Sequence, residues 1–364
     1  MSRPLRVLLV TIDYPPPPGG IQTVTKNLEQ GLEQIGHQSQ VLHLPSGTAE
    51  KSGLDAIPRP SRVYGLRSIK RRDYIYMNCL YRKTVERIEH FDPDVVHAMH
   101  INNWAALVAA NEYDIPTVLS VHALELQNGS LARTAISDAD RIHTPSQYTA
   151  SLVRDILPDA ESYVVSPSIR LSTYREKTGE DSSSGPVVCL SRFVERKNID
   201  TVIRAWKLVD AEIKDGRSLV VVGDGPNRDQ ITKLAADTDD IQLTGWISED
   251  EKYELLAEAS GFVLVPGQNG YDVEGFGIVF IEAQAARTPI VGSKRGGIPE
   301  AIGNAGILVD DEYDPEEVAS AIESILADES VRSTVLKAAE ERIGRFDIKS
   351  VSMDHMDQYR CLIQ

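Results

Sequence analysis

Twice along this chain, short apolar runs of strand length alternate with segments of helical period, and that alternation is the strongest constraint on its fold. A strand buried on both faces reads as a continuous apolar run, and parallel strands need long crossovers, usually helical, between them. In the first half Leu5 to Ile12, Gln40 to Leu44, Val95 to Ala98 and Thr117 to Val121 suit such strands. In the second half the runs near Val187 to Leu190, Ser218 to Val222, Ile241 to Thr244, Gly261 to Val265, Pro289 to Val291 and Gly306 to Val309 repeat the pattern. The expected class is α/β, with doubly wound parallel sheets. A length of 364 residues suits two domains, and 41% hydrophobic content fills two cores. The polar run Thr178 to Gly185 suits a connection, so an N-terminal domain is expected over 1–170 and a C-terminal one over 171–345.

The net charge of −16 argues against a nucleic-acid binder. Cys79, Cys189 and Cys361 are scattered without the paired spacing of a zinc site, which suits a reduced compartment. Val7 to Val10 is too short for a signal peptide or a bilayer span, so a cytoplasmic location is expected. One stretch opposes the general acidity. From Arg59 to Arg87 stand nine basic residues (Arg59, Arg62, Arg67, Lys70, Arg71, Arg72, Arg82, Lys83, Arg87) against Asp73 and Glu86, a local charge of +7 with four tyrosines interleaved. It suits an anionic membrane surface, a phosphorylated acceptor or an ordinary solvated helix face.

The segment Glu274 to Glu282, EGFGIVFIE, reads as a loop that turns into the N-terminus of a buried helix. Gly275 and Gly277 let backbone approach a ligand, and the first amides of the helix form an anion site. The two carboxylates are then about 12 Å apart at most and can accept from sugar hydroxyls. Gly19 and Gly20 open a helix after the first strand, another backbone site for phosphate. Arg192 and Lys197 follow a strand and can neutralise a pyrophosphate. Gly223 and Gly225 end the next strand. His122 leaves the end of Thr117 to Val121, where a neutral imidazole can donate to a hydroxyl or assist proton transfer; His97 and His100 are weaker candidates. Asp92 and Asp94 spell Asp-x-Asp but precede a strand, so they read as a turn and no metal is expected. Taken singly, each motif has a plain structural reading as a helix start, a tight turn or a surface pairing.

Together they are more specific. Leu264 to Ile302 resembles the donor segment of glycosyltransferase family 4 (glycosyl transferases group 1), and the resemblance reaches PPPPGG at Pro15 to Gly20, VVHAMH at Val95 to His100, LSRFVERKN at Leu190 to Asn198 and VVGDGP at Val221 to Pro226, in the family's order. It implies a GT-B fold of two Rossmann-like domains with a cleft between them, a C-terminal helix about 346–364 returning to the N-terminal domain, and retaining transfer of a sugar from a UDP-, GDP- or other nucleotide sugar without a metal. It further implies that Arg192 and Lys197 hold the donor diphosphate, that Gly19, Gly20, Gly223, Glu274, Gly275, Phe276, Gly277 and Glu282 complete the donor site, and that His122 lines the sugar pocket. The acceptor is expected to be lipid-linked or a growing glycan, received by the N-terminal domain, with peripheral docking on the cytoplasmic face of the membrane. The chain departs from the family pattern at Arg287, which stands where a small Cys-Gly pair is usual; at Ala123, in place of an acidic neighbour of the histidine; and at Ser168 and Arg170, in place of Gly and Asp. A nucleotide-sugar epimerase or phosphorylase on the same fold, or a non-catalytic nucleotide-sugar-binding subunit, remains open at this point.

Overall fold

The computed structural model describes residues 3–12, 14–15, 19–44, 71–177 and 183–364, with backbone alone for 71–74. Two compact units divide the chain. Unit 1 is Met1–Ser168 with Ile348–Gln364, and unit 2 is Ile169–Asp347.

Unit 1 is built on strands β1 (Arg6–Thr11), β2 (Gln38–His43), β3 (Val95–Ala98), β4 (Thr117–Ser120), β5 (Arg141–Thr144) and β6 (Ser162–Val164). They form one sheet in the order β2-β1-β3-β4-β5-β6, every pairing parallel. Val7 and Leu9 of β1 pack with Leu28 and Leu32 of the helix Gly20–Gln34 and with Met356 and Tyr359 of the last helix, Ile348–Leu362. Each such side chain contributes roughly 1.5–3 kcal/mol by leaving water. The two helices meet at Gly31, where a Cβ would sit 2.6 Å from the Ile348 carbonyl oxygen, so only glycine allows the approach. Asp92 and Asp94 lie at the amino edge of the sheet. Asp94 accepts from the Arg6 amide at 2.8 Å and pairs with Arg3, while Asp92, at φ 49, pairs with Arg6. The Asp-x-Asp is thus a turn tied to the start of β1.

The last helix is also held by polar groups. Tyr359 donates to His97 Nδ1 at 2.7 Å, His97 Nε2 to Ser120 Oγ at 2.8 Å, Ser120 to His143 Nδ1 at 2.7 Å, and His143 Nε2 to the Val165 carbonyl at 2.8 Å. The carbonyl can only accept, so the direction of each bond follows. His355 lies against His143, ring centroids 4.6 Å apart, and Tyr163 bonds its Nδ1 at 3.2 Å. Burial holds all three imidazoles neutral: His97 and His355 fall well below the usual histidine range, and His143 falls to about 3.

Unit 2 carries β7 (Val187–Leu190), β8 (Leu219–Val222), β9 (Ile241–Gly245), β10 (Gly261–Leu264), β11 (Ile290–Ser293) and β12 (Ile307–Val309) in the parallel order β12-β11-β10-β7-β8-β9. Its core gathers Phe193, Trp206, Phe262, Phe280 and Phe346, all at most 1% exposed. The strands coincide with the apolar runs of the sequence to within two residues. The chain leaves unit 1 at Ser168 rather than at 170, because the Ile169 amide donates to the Phe346 carbonyl at 2.9 Å and Ile169 bridges to Asp347 inside unit 2. Of the polar run Thr178 to Gly185, 178–182 lie outside the described residues. Among the described residues no helix is long and apolar enough to cross a membrane.

Candidate functional site

Unit 2 changes direction between β7 and β10: the chain steps outward from β7 to β8 and β9, then lays β10 on the other side of β7. In open parallel sheets such a reversal parts the loops at the carboxyl ends of the strands and leaves a crevice for ligands. Here those loops are 191–198, after β7, and 265–277, after β10. They carry Arg192, Lys197, Glu274, Gly275, Phe276 and Gly277.

The two loops are bonded to each other. The Gly267 amide donates to the Arg196 carbonyl at 2.8 Å, and the Arg196 side chain reaches Asp272 through Nε at 2.7 Å and Glu274 through Nη1 at 2.8 Å. Lys197 Nζ holds the same Glu274 oxygen as Arg196. Burial disfavours the ionised Glu274, but Lys197 and Arg196 overcome that cost and hold its carboxyl at about 2. Its main chain is fixed as well. The Gly297 amide donates to the Glu274 carbonyl at 2.9 Å, and a Cβ on Gly296 would lie 2.3 Å from that oxygen.

Behind Glu274, Gly277 takes φ 88 and begins the helix Ile278–Ala285 with no side-chain cap, so the first amides are left for a ligand. Gly275 is buried, and the Phe276 ring lies in the core against Phe346, centroids 6.0 Å apart, which leaves its backbone as the part that borders the loop. Arg192 is exposed and makes no ion pair among the described residues. Gly223 presses on the β7 loop, where a Cβ would lie 1.9 Å from the Ser191 carbonyl oxygen, and Gly225 does the same at Phe193. Glu282, one turn into the helix, is not brought to Glu274's partners. Its carboxylate pairs with Lys252 Nζ at 2.7 Å, and Lys252 also reaches Glu249 at 2.9 Å.

In unit 1, Gly19 precedes the helix Gly20–Gln34 in an extended conformation, no side chain caps that helix, and a Cβ on Gly20 would meet nothing within 4 Å. His122 follows β4. Its Nε2 lies 3.0 Å from the Met99 carbonyl and therefore carries the proton, which leaves Nδ1 as an acceptor toward any hydroxyl placed there. The next residue, Ala123, sits at φ 76, ψ −64 in a three-residue turn closed by Leu124 N to His122 O at 3.1 Å, a strained conformation for a residue with a Cβ. Glu125 Oε1 accepts from the His122 amide at 2.9 Å, and its other oxygen lies 3.6 Å from His100 Nε2. An acidic side chain thus stands beside His122 although Ala123 occupies the adjacent position. His97 belongs to the buried network described above.

Sequence reasoning missed Arg196, Asp272 and Lys252. Arg196 adjoins Lys197 and Asp272 lies two residues before Glu274, so adjacency was the only signal. Lys252 stands four residues before the buried Leu256 on one helix, a spacing that marks a charge on the inner face. Of the basic stretch, 59–70 lie outside the described residues. In the helix Arg71–Phe91, Arg82, Lys83 and Arg87 are exposed, Tyr81 donates to the exposed Glu112, and Tyr76 accepts from the buried Asn103 at 3.5 Å. Among the described residues no three His, Cys, Asp or Glu side chains gather as a metal site.

Residues 172–342 match the model of the glycosyl transferases group 1, and residues 18–173 match that of glycosyltransferase family 4. The chain is 28% identical to the GDP-mannose-dependent alpha-(1-6)-phosphatidylinositol monomannoside mannosyltransferase of Mycobacterium tuberculosis, over 92% of both chains. It is 25% identical to the GDP-mannose-dependent monoacylated alpha-(1-6)-phosphatidylinositol monomannoside mannosyltransferase of Corynebacterium glutamicum, over 93% of both. Among solved structures, the sucrose-phosphate synthase of Thermosynechococcus elongatus superposes with a TM-score of 0.76 at 18% identity, covering 98% of this chain and 99% of that one. Anabaena HepE in complex with UDP-glucose gives 0.73 at 17%, covering 98% and 100%.

Proposed function

Because the chain belongs to the group 1, family 4 glycosyltransferases and is a nucleotide-sugar glycosyltransferase, we propose that it transfers its sugar with retention of anomeric configuration, to a lipid-linked acceptor. The observation that carries the reading is the convergence of Lys197 and Arg196 on Glu274 at the mouth of the uncapped helix Ile278–Ala285. A leaving diphosphate needs fixed positive charge and dipole. Lys197, the exposed Arg192 and the helix amides of unit 2 supply it. Glu274 accepts from hydroxyls of the transferred sugar, and Glu282 from those of the nucleotide ribose. The acceptor proton passes to the leaving phosphate on the same face of the sugar, so no separate base is required.

GDP-mannose is the first donor to test, since both mannosyltransferase relatives named above are GDP-mannose-dependent. Their phosphatidylinositol mannoside acceptors support a lipid-linked substrate, and the exposed Arg82, Lys83 and Arg87 support docking of unit 1 on an anionic, cytoplasm-facing membrane surface. Charge neutralisation by side chains and dipoles leaves no need for a metal. A thermal-shift comparison of GDP-mannose with UDP-glucose decides the donor, because a ligand at one hundred times its Kd adds about 2.7 kcal/mol. NMR of the product then reads the anomer, and an inverted product refutes retention. Transfer abolished by chelator and restored by magnesium refutes metal independence.

A further inference from the structure

Glu274 has two cations where one would neutralise it, and the two are held differently. Arg196 is fixed on three sides: Nε to Asp272, Nη1 to Glu274, and its carbonyl to the Gly267 amide, with the side chain 11% exposed. Among the described residues the Lys197 ammonium, on a flexible four-carbon stem, pairs with Glu274 alone. Only one of these cations can leave without tearing the loops apart.

We propose that Arg196 is the standing counter-ion of Glu274, and that this frees Lys197 to move from Glu274 to the donor's diphosphate. The inference rests on the assignment of Lys197 to the diphosphate. If Lys197 turned away from a carboxylate with no second partner, a buried charge would be left unpaired, and donor binding would bear that cost. With Arg196 in place Glu274 stays ionised in both states and remains an acceptor for sugar hydroxyls. Arg196 is therefore a positioning residue rather than a catalytic one. Among the described residues the charges facing Glu274 are Lys197 and Arg196, with Asp272 on the far side of Arg196. Gly296 and Gly297, packed on its carbonyl, are uncharged, and Lys294 and Arg295 before them pair with Asp310 and Glu312.

The test is equilibrium binding of intact GDP-mannose, or of UDP-glucose if that is the donor that stabilises the protein, between pH 5.5 and 8. Wild-type Kd should be flat. Arg196→Gln should bind at least tenfold more weakly at pH 8 and recover as pH falls, because protonating an unpaired Glu274 removes the stranded charge. Arg196→Lys keeps a cation and should stay flat and within threefold of wild type. Lys197→Gln should bind weakly at every pH. Arg196→Gln that binds like wild type, or is weakened equally across the range, overturns the inference while leaving the diphosphate assignment standing. Wild-type affinity in Lys197→Gln overturns that assignment itself. Should Arg196→Gln not fold, Arg196→Lys decides, and a tenfold loss at all pH values rules out a role carried by charge.

Discussion

Lys252 Nζ lies 2.7 Å from Glu282 Oε1, with the two side chains only 10% and 6% exposed. The carboxylate proposed to hold the nucleotide ribose is thus a member of a buried ion pair. Removing one partner strands the other. Lys252→Met should lose about 3–5 kcal/mol of unit 2 stability in urea, whereas Lys252→Met combined with Glu282→Gln should regain most of it while still failing to bind donor. Stability within 1 kcal/mol of wild type in the single variant would show the pair to be solvated.

The buried histidines make unit 1 sensitive to acid. Each is neutral when folded and titrates near pH 6.5 when unfolded, so the unfolded chain binds more protons below that value. Stability is complete above about pH 6.5 and falls below it by about 1.4 kcal/mol per pH unit for each histidine. By pH 4.5 the loss for His97, His143 and His355 together is on the order of 8 kcal/mol, within the 5–15 kcal/mol of a whole domain. Glu274, held at about 2, keeps its partners through the same window. Denaturant melts at stepped pH should show unit 1 failing first, and a flat stability from pH 6.5 to 4.5 would contradict the neutral network.

Arg287 carries a conformation that suits glycine. It sits at φ 59 just after the helix Ile278–Ala285, where its amide donates to the Gln284 carbonyl and the Thr288 amide to that of Ala283, both at 3.0 Å. This is a Schellman helix end. Arg287→Gly should stabilise by about 1 kcal/mol, a rise of about 2–4 °C in Tm, with donor affinity unchanged. A lower Tm would mean that the exposed guanidinium makes up for the strain.

Membrane docking is checked by flotation with anionic liposomes. Changing Arg82, Lys83 and Arg87 together to Glu should abolish co-flotation at low salt and slow transfer to a lipid acceptor, with GDP-mannose affinity untouched. Equal flotation of variant and wild type would confine the basic stretch to a soluble partner.

The strands were legible because a buried parallel strand leaves a continuous apolar run, as in Val187–Leu190, and the glycines because a loop such as 274–277 needs them in fixed order. Arg287 was noticed as a departure, yet its meaning lay in a dihedral angle that composition does not record. Arg196 and Lys252 escaped because an ion pair joins residues 78 and 30 positions apart, and no local pattern names the partner. The histidine chain, from Tyr359 through His97 and Ser120 to His143, exists only once three strands and the last helix are in place.

Unit 1 is discontinuous in the chain, and this orders events at the ribosome. Its first 168 residues emerge with the site for Met356 and Tyr359 still empty, and all of unit 2 must be made before Ile348–Leu362 appears. At translation rates of about 5–20 residues per second the interval is roughly 10–35 s. During that time the Leu28 and Leu32 face and the His97–His143 row await their cover, so the nascent domain that begins first is finished last.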